Sequence, residues 1–172
     1  MKKSEIELPE FFDRYINLVP QDDLFLAFEA SLMQIQTLDL RKLEKLKGMP
    51  YAHGKWTVND VLQHIVDFER VFSYRALIFA RGMKSTEGMD ENFFADNSFA
   101  DHKDVKNIVN DLLVARNATI SQFKNFCEEE LMRKGNSWKY ETSVVALGFN
   151  IIGHQIHHFN VIEERYFPIL NI

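Results

Sequence analysis

Four long segments of this chain repeat their apolar residues with the period of an α-helix, and most of its glycine and proline falls between them. The predicted helices cover about 22–46, the stretch from an N-cap at Thr57 to Gly82, about 102–129 and about 142–166. No segment alternates apolar and polar residues for long enough to predict a strand. The pattern therefore predicts an all-α fold, a four-helix bundle.

The chain is long enough for one complete hydrophobic core, with 172 residues. We predict an N-terminal leader over residues 1–20, which contains two prolines, and one four-helix domain over residues 21–172. The long connection over residues 83–100 carries three phenylalanines that should pack back onto the bundle. Long loops in compact domains are often functional, so this loop is a candidate lid.

Composition excludes several classes of protein. The net charge of −5 argues against a nucleic-acid partner, which calls for a basic face. The sequence has no apolar run long enough for a membrane span, and its charged first residues lack the core of a signal peptide. Cys127 is the single cysteine, which excludes an intrachain disulfide and fits a cytoplasmic protein. We expect Cys127 to be a buried, inert thiol.

The sequence Gly-His-Gln-Ile-His-His at 153–158 places two histidines, His154 and His158, four residues apart. On a helix this spacing puts both side chains on one face, about 5–6 Å apart at Cβ. His64, on the predicted second helix, lies at the edge of that helix's apolar face. Three imidazoles that met in the bundle would hold a divalent metal with open coordination positions. Hydrogen-bonded core histidines remain the alternative.

Other residues are candidates for supporting such a site. Asp60 and Asp67 lie within one helical turn of His64 and would orient its second ring nitrogen. Asn150 and His157 share the polar side of the fourth helix, where they would lie behind the ligands. Three apolar residues lie on the same helix faces as the histidines and are candidates for lining a substrate pocket: Phe68, Phe72 and Ile151.

Two arginines, Arg75 and Arg116, fall on apolar helix faces. A buried arginine needs a carboxylate partner, so we expect ion pairs that join helices. The candidate partners are four acidic residues: Asp39, Glu69, Glu163 and Glu164. Binding of a substrate anion is the alternative. Arg75 should not touch the metal, because it lies about 16 Å along the helix axis from His64.

The fourth helix carries a second apolar stripe, formed by Val145, Phe149, Ile152, Ile156 and Phe159. One helix of a four-helix bundle seldom needs so wide an apolar surface. The stripe should pack against the leader or form an interface between two copies of the chain. We predict a homodimer.

The residues around the histidines also resemble a known family. The segment 55–70, Lys-Trp-Thr-Val-Asn-Asp-Val-Leu-Gln-His-Ile-Val-Asp-Phe-Glu-Arg, is similar to the second-helix signature of the DinB-like (damage-inducible, bacillithiol S-transferase-like) superfamily. The segment 153–158 with Glu164-Arg165-Tyr166 resembles its fourth-helix signature, and Arg116-Asn117-Ala118-Thr119 resembles its third helix. The resemblance covers about residues 15–168.

This resemblance implies a bundle in an up-down-down-up arrangement. It implies a divalent metal, nickel or zinc, held by three histidines that match His64, His154 and His158. Characterised members include S-transferases that use bacillithiol or mycothiol, a mycothiol-dependent maleylpyruvate isomerase and proposed hydrolases. A low-molecular-weight thiol is therefore an implied cofactor.

Three functional hypotheses follow. The first is a divalent-metal-dependent enzyme, a thiol S-transferase or a hydrolase, that acts on a small molecule by lowering the pKa of a thiol or a water. The second is a non-catalytic metal-binding stress-response bundle, in which a fourth ligand such as Asp96 closes the site. The third is a plain helical dimer with satisfied core histidines.

Overall fold

The computed structural model describes residues 1–171, so Ile172, the last residue of the predicted domain, lies outside it. The helices are α1 (Asp13–Ile16), α2 (Leu24–Gln36), α3 (Leu40–Leu46), α4 (Val58–Ala80), α5 (Glu91–Asp96), α6 (Val105–Lys124), α7 (Glu128–Met132) and α8 (Val144–Val161). The strands are β1 (Ser85–Thr86), β2 (Lys134–Ser137) and β3 (Tyr140–Ser143). No helix among the described residues has the length and hydropathy needed to cross a membrane.

The four longest helices, α2, α4, α6 and α8, form a four-helix bundle, as predicted. Contacts between side chains give their directions. The start of α4 meets the segment before α6, where Asn59 donates to the carbonyl of Lys103, and Gln122 near the end of α6 donates to the carbonyl of Ser73 on α4. These contacts advance together along both helices, so α4 and α6 are parallel.

The other two helices run the opposite way. Leu24 of α2 packs against Gly148 of α8. About two turns further along both helices, Gln155 donates to the carbonyl of Ser31, so α2 and α8 are parallel. Ser31 also accepts from Arg116, whereas Phe28 contacts Phe123, so α2 and α6 are antiparallel. The resulting order is up-down-down-up.

Polar side chains at the helix starts explain where the elements begin. The predicted cap of α4 is confirmed: Thr57 accepts from the backbone of Asp60, whose carboxylate in turn accepts from the backbone of Thr57. Asp23 caps α2 by accepting from two backbone N–H groups, and Ser143 caps α8.

Two predicted helices are shorter than their periodicity suggests. The helix expected over 22–46 is broken after Gln36, because Thr37 donates to carbonyls of the preceding turn and Asp39 caps a new helix, α3. The helix expected over 102–129 ends at Lys124, and α7 follows it. Cys127 is the N-cap residue of α7 and is exposed, so the expectation of a buried thiol is wrong.

A small sheet at one end of the bundle was not predicted. β1 pairs in parallel with β2, and β2 pairs antiparallel with β3. Gly135 on β2 lies against the ring of Phe79, and a Cβ there would come within 2.5 Å of that ring. The sheet thus covers the end of α4. Strands of two to four residues are too short to produce a readable alternation.

The N-terminal segment packs against α8. A Cβ on Gly153 would lie 2.0 Å from the carbonyl oxygen of Tyr15, so only glycine allows α1 to approach this closely. Phe12, Ile16 and Val19 from this segment are buried in the core. The second apolar stripe of α8 is therefore largely covered within the chain: its first three residues, Val145, Phe149 and Ile152, are buried, and Ile156 and Phe159 are half-buried. The homodimer loses the support of this stripe and stays a prediction.

Candidate metal centre

Helices α4 and α8 bring the three predicted histidines together. The Nε2 atom of His154 lies 3.0 Å from Nε2 of His64 and 3.1 Å from Nε2 of His158. One ligand atom from each ring lies within 4.8 Å of the other two. His64 and His154 are buried and His158 is half-buried. Residues 90 positions apart in sequence thus meet at one point, which the helix faces predicted.

The surroundings keep these rings neutral. Burial, reinforced by the nearby imidazole of His157, lowers the pKa of His64 to about 4. Burial and then the neighbouring histidines lower the pKa of His154 well below its usual value, and the pKa of His158 is lowered in the same way. A neutral imidazole carries the free lone pair that a metal ion requires.

The donor set fits a divalent cation. Nε2 of His154 makes two short contacts with other ring nitrogens. Nε2 of a neutral ring offers either one proton or one lone pair, so hydrogen bonding alone matches only one of these two contacts. A cation at the point of convergence would satisfy all three nitrogens. Within the described part of the chain, no carboxylate or thiol joins this group, which leaves further coordination positions open.

The two carboxylates predicted to support the site, Asp60 and Asp67, form hydrogen bonds with other groups. Asp60 belongs to the cap of α4, and Asp67 accepts a hydrogen bond from Gln63. Nδ1 of His64 is buried with no hydrogen-bond partner in the described structure. Neither aspartate therefore orients His64, and its ring is held by packing, with Trp56 and Phe68 at centroid distances of 4.9 Å and 4.5 Å.

Asn150 and His157 also differ from expectation. Asn150 was expected on the polar side of α8, yet it is fully buried and neither of its amide atoms has a hydrogen-bond partner among the described residues. His157 is half-buried and packs edge-on against Tyr15 and His158. Asp96, considered as a fourth ligand, is exposed and is not part of the histidine group.

A cavity of about 780 Å³ opens beside His154. Two of the three predicted pocket residues line it, Phe68 and Phe72, whereas Ile151 is buried in the core. Part of the predicted lid also borders it, since residues 87–91 of the 83–100 loop form one wall. The remaining lining residues are Phe11, Phe12, Arg14, Tyr15, Arg75, Ser137, Trp138 and Tyr140.

Two walls of the cavity, formed by the N-terminal segment and the β2–β3 hairpin, were not predicted from the sequence. Phe11 and Tyr140 stack across these two regions with ring centroids 5.0 Å apart. Phe11 and Trp138 have left-handed backbones, with φ of 71° and 60°. Such conformations cost free energy in residues other than glycine and concentrate at functional sites. Contacts of this kind join distant parts of the chain, so no local pattern marks them.

The two inward arginines have different partners. Arg116 is fully buried and forms a two-pronged ion pair with Glu69, with N–O distances of 2.8 Å and 2.7 Å. This confirms Glu69 among the expected carboxylates. Arg75, on the cavity wall, forms no ion pair in the described structure and donates to the backbone carbonyl of Glu87. Burial lowers the pKa of Arg75.

This fold and this site define a helical-bundle protein with a three-histidine centre. The chain matches the DinB superfamily over residues 28–162 and belongs to that family, which confirms the resemblance seen in the sequence. Among solved structures it is similar to YfiT from Bacillus subtilis, with a TM-score of 0.70 and 17% identity over 98% of this chain and 93% of that one. YfiT is described as a probable metal-dependent hydrolase with an unusual four-helix bundle topology. No curated protein matches the chain.

Proposed function

We propose that this protein is a divalent-metal-dependent hydrolase that acts on a small molecule. The observation that carries the proposal is a group of three neutral imidazoles, with no fourth ligand among the described residues, beside a cavity of about 780 Å³. A purely structural site is normally closed by four protein ligands, whereas a catalytic one keeps a position for substrate. The similarity to YfiT, described as a probable metal-dependent hydrolase, supports the same reading.

His64, His154 and His158 would hold the metal, and zinc or nickel suits a set of imidazole ligands. When bound, such an ion lowers the pKa of a coordinated nucleophile and polarises a carbonyl oxygen. The protein itself supplies the binding site. Phe68 and Phe72 form an apolar wall beside His154, with the Phe72 and His154 ring centroids 5.6 Å apart, and this wall excludes water from one side of the substrate.

S-transfer is a second candidate reaction of the same centre. Its nucleophile would be a low-molecular-weight thiol instead of water, as in the S-transferases of the resembled family. The size of the cavity favours this possibility, because about 780 Å³ holds a thiol together with a small electrophile. Both reactions fit a cytoplasmic enzyme that acts on a small molecule.

The proposal is tested by turnover with and without chelator. Two probe reactions serve for the full chain: hydrolysis of 4-nitrophenyl butanoate, and substitution of the chlorine of 1-chloro-2,4-dinitrobenzene by the thiol of cysteamine, which releases chloride. We expect one of them to stop after metal removal and to return with added zinc or nickel. His154→Ala should abolish it, whereas His53→Ala, which removes an exposed imidazole elsewhere, should not.

The two alternatives predict different results. A non-catalytic metal-binding bundle would retain about one ion per chain but show no chelator-sensitive turnover of either probe. A helical protein with satisfied core histidines would bind no ion at all. Either result would overturn the proposed enzymatic function.

A further inference from the structure

Arg75 is a buried cation without a counter-charge. It is 5% exposed, and its Nε atom has no hydrogen-bond partner in the described structure. Its single hydrogen bond there goes to the carbonyl of Glu87, 2.8 Å away. A buried guanidinium is normally paired with a carboxylate, because the unpaired charge is costly. The protein therefore maintains a positive charge that nothing within the described chain neutralises.

The position of Arg75 relates this charge to the histidines. Arg75, Phe72 and His154 all line the cavity, and Phe72 lies near both of the other two. The guanidinium carbon lies 5.8 Å from the centroid of the Phe72 ring, which lies 5.6 Å from the centroid of His154. Together these two distances keep the guanidinium within about 11 Å of the His154 ring. A single small molecule spans that length.

The charges around the cavity select the kind of anion. The acidic residues on its wall, Glu87, Asp90 and Glu91, are all exposed and lie at its rim, and the second cation, Arg14, is exposed as well. Arg75 is thus the one buried charge among the lining residues. One guanidinium balances one negative charge, and three rim carboxylates disfavour a dianion such as a phosphate monoester. A carboxylate suits the planar guanidinium.

We propose that Arg75 anchors the carboxylate of the substrate, a small monoanion whose apolar or aromatic body lies along Phe72 and Phe68 and whose other end reaches the histidine centre. This assignment names the substrate class of the proposed enzyme and rests on that function for its meaning. The binding step itself depends on the cavity and Arg75, and not on the metal.

The rival explanation is structural. Arg75 would then serve only to hold residues 83–100 against the bundle through its hydrogen bond to Glu87. That role requires no free donor and places no requirement on the charge of a ligand. The two explanations differ in whether the protein prefers a carboxylate over an uncharged molecule of the same shape.

Calorimetric titration of the full chain with 4-phenylbutanoate, 4-phenylbutanamide and 3-phenylpropyl phosphate tests the proposal. Each titration is made with protein as purified and after chelator treatment, with folding checked by circular dichroism. We expect the carboxylate to bind at least tenfold more tightly than the amide and more tightly than the phosphate, in both preparations. Arg75→Met should reduce the preference over the amide below threefold.

Two further variants keep the result decisive. Arg75→Lys should keep part of the carboxylate preference, because it keeps the charge but loses the planar fork. Arg70→Met removes a surface arginine of the same helix, paired with Asp111, and should behave like the wild type. If Arg75→Met fails to fold, the wild-type comparison of carboxylate with amide and the Arg75→Lys result decide.

Several outcomes would overturn the assignment. Equal binding of carboxylate and amide would show that no anion site exists. Tighter binding of the phosphate would exclude the carboxylate class. A preference that disappears on chelation but survives Arg75→Met would place the anion at the metal. Failure of the proposed function looks different, since carboxylate binding would persist in a protein that holds no metal and turns over neither probe.

Discussion

Two buried arginines of this bundle have opposite surroundings. Arg116 lies between α2, α4 and α6, and all of its partners are in place: both oxygens of Glu69 and the hydroxyl of Ser31. Arg75, six residues after Glu69 on α4, borders a cavity and has a backbone carbonyl as its partner. The same side chain is thus a closed structural link in one place and an open binding group in the other.

The histidine centre resembles the surroundings of Arg75 in that it contains a buried nitrogen without a hydrogen-bond partner in the described part of the chain. His64 Nδ1 and Arg75 Nε are both buried without partners among the described residues. Such groups cost stability. A bound carboxylate would complete Arg75 Nε, whereas a metal would bind His64 through Nε2 and leave Nδ1 without a partner within the described chain. Two of the buried side-chain atoms without a hydrogen-bond partner in the described structure, Arg75 Nε and Ser137 Oγ, belong to residues that line the cavity, whereas the Arg116–Glu69 pair is satisfied. The contrast separates residues that maintain the fold from residues that bind.

The largest expected effect on stability comes from breaking the buried ion pair between Arg116 and Glu69. Arg116→Met leaves the buried carboxylate of Glu69 without its counter-charge and should lower the free energy of unfolding by about 3–5 kcal/mol. Urea denaturation followed by circular dichroism measures this. Glu129→Gln, which breaks a surface pair with Arg133, is the control and should cost at most about 1 kcal/mol. If both variants lost a similarly small amount of unfolding free energy, Arg116 would not be the structural link that distinguishes it from Arg75.

A tight backbone approach gives the next largest effect. Gly153→Ala would force its Cβ against the backbone of Tyr15, which cannot move without displacing α1. We expect a loss of about 1–3 kcal/mol, as for overpacked cores. Gly148→Ala should cost less, because the atoms in its way belong to the side chains of Phe123 and Leu24, which can shift. The reverse order in thermal denaturation would show that the N-terminal segment is loosely held.

Removing one imidazole should affect metal binding far more than folding. His64→Ala should reduce bound metal from about one ion per chain to none, as measured by elemental analysis. The free energy of unfolding of the chelator-treated protein should change by only about 1 kcal/mol, because the lost packing is offset by removal of an unsatisfied polar group. His53→Ala should leave both quantities unchanged. A large loss of metal-free stability would make His64 a structural residue.

The smallest expected effect is that of the matched substitution at the open site. Arg75→Met removes one hydrogen bond to Glu87 together with an uncompensated buried charge. These effects oppose each other, so the free energy of unfolding should stay within about 1 kcal/mol of the wild type. A loss as large as that of Arg116→Met in the same urea titration would erase the distinction between the two arginines.

The sequence predicted the parts of the fold that repeat along the chain. Periodic apolar residues gave the four main helices, and the capping pair of Thr57 and Asp60 gave the start of α4. Helical periodicity placed His154 and His158 on the core-facing side of α8 and His64 at the edge of the core face of α4, so their meeting inside the bundle was foreseeable. The apolar periodicity continues past Gln36 and therefore did not predict that α2 ends there. The helix ends because of hydrogen bonds made by the side chains of Thr37 and Asp39.

Contacts between distant segments were not predictable from one sequence. Phe11, Trp138 and Tyr140 reach the cavity only because the N-terminal segment and the hairpin fold against each other. Asp60 and Asp67 lie at suitable spacings from His64, but closer partners, Thr57 and Gln63, occupy their carboxylates. Spacing gives the residues that share a face, and the competition for hydrogen bonds is settled by tertiary packing.

The central claim is that three imidazoles from α4 and α8 hold one divalent ion. The most direct test is anomalous diffraction from crystals grown with zinc or nickel. We predict a single strong peak about 2.0–2.1 Å from Nε2 of His64, His154 and His158. A map with the three rings in place and no peak between them, at a metal concentration that saturates exposed sites, would contradict it.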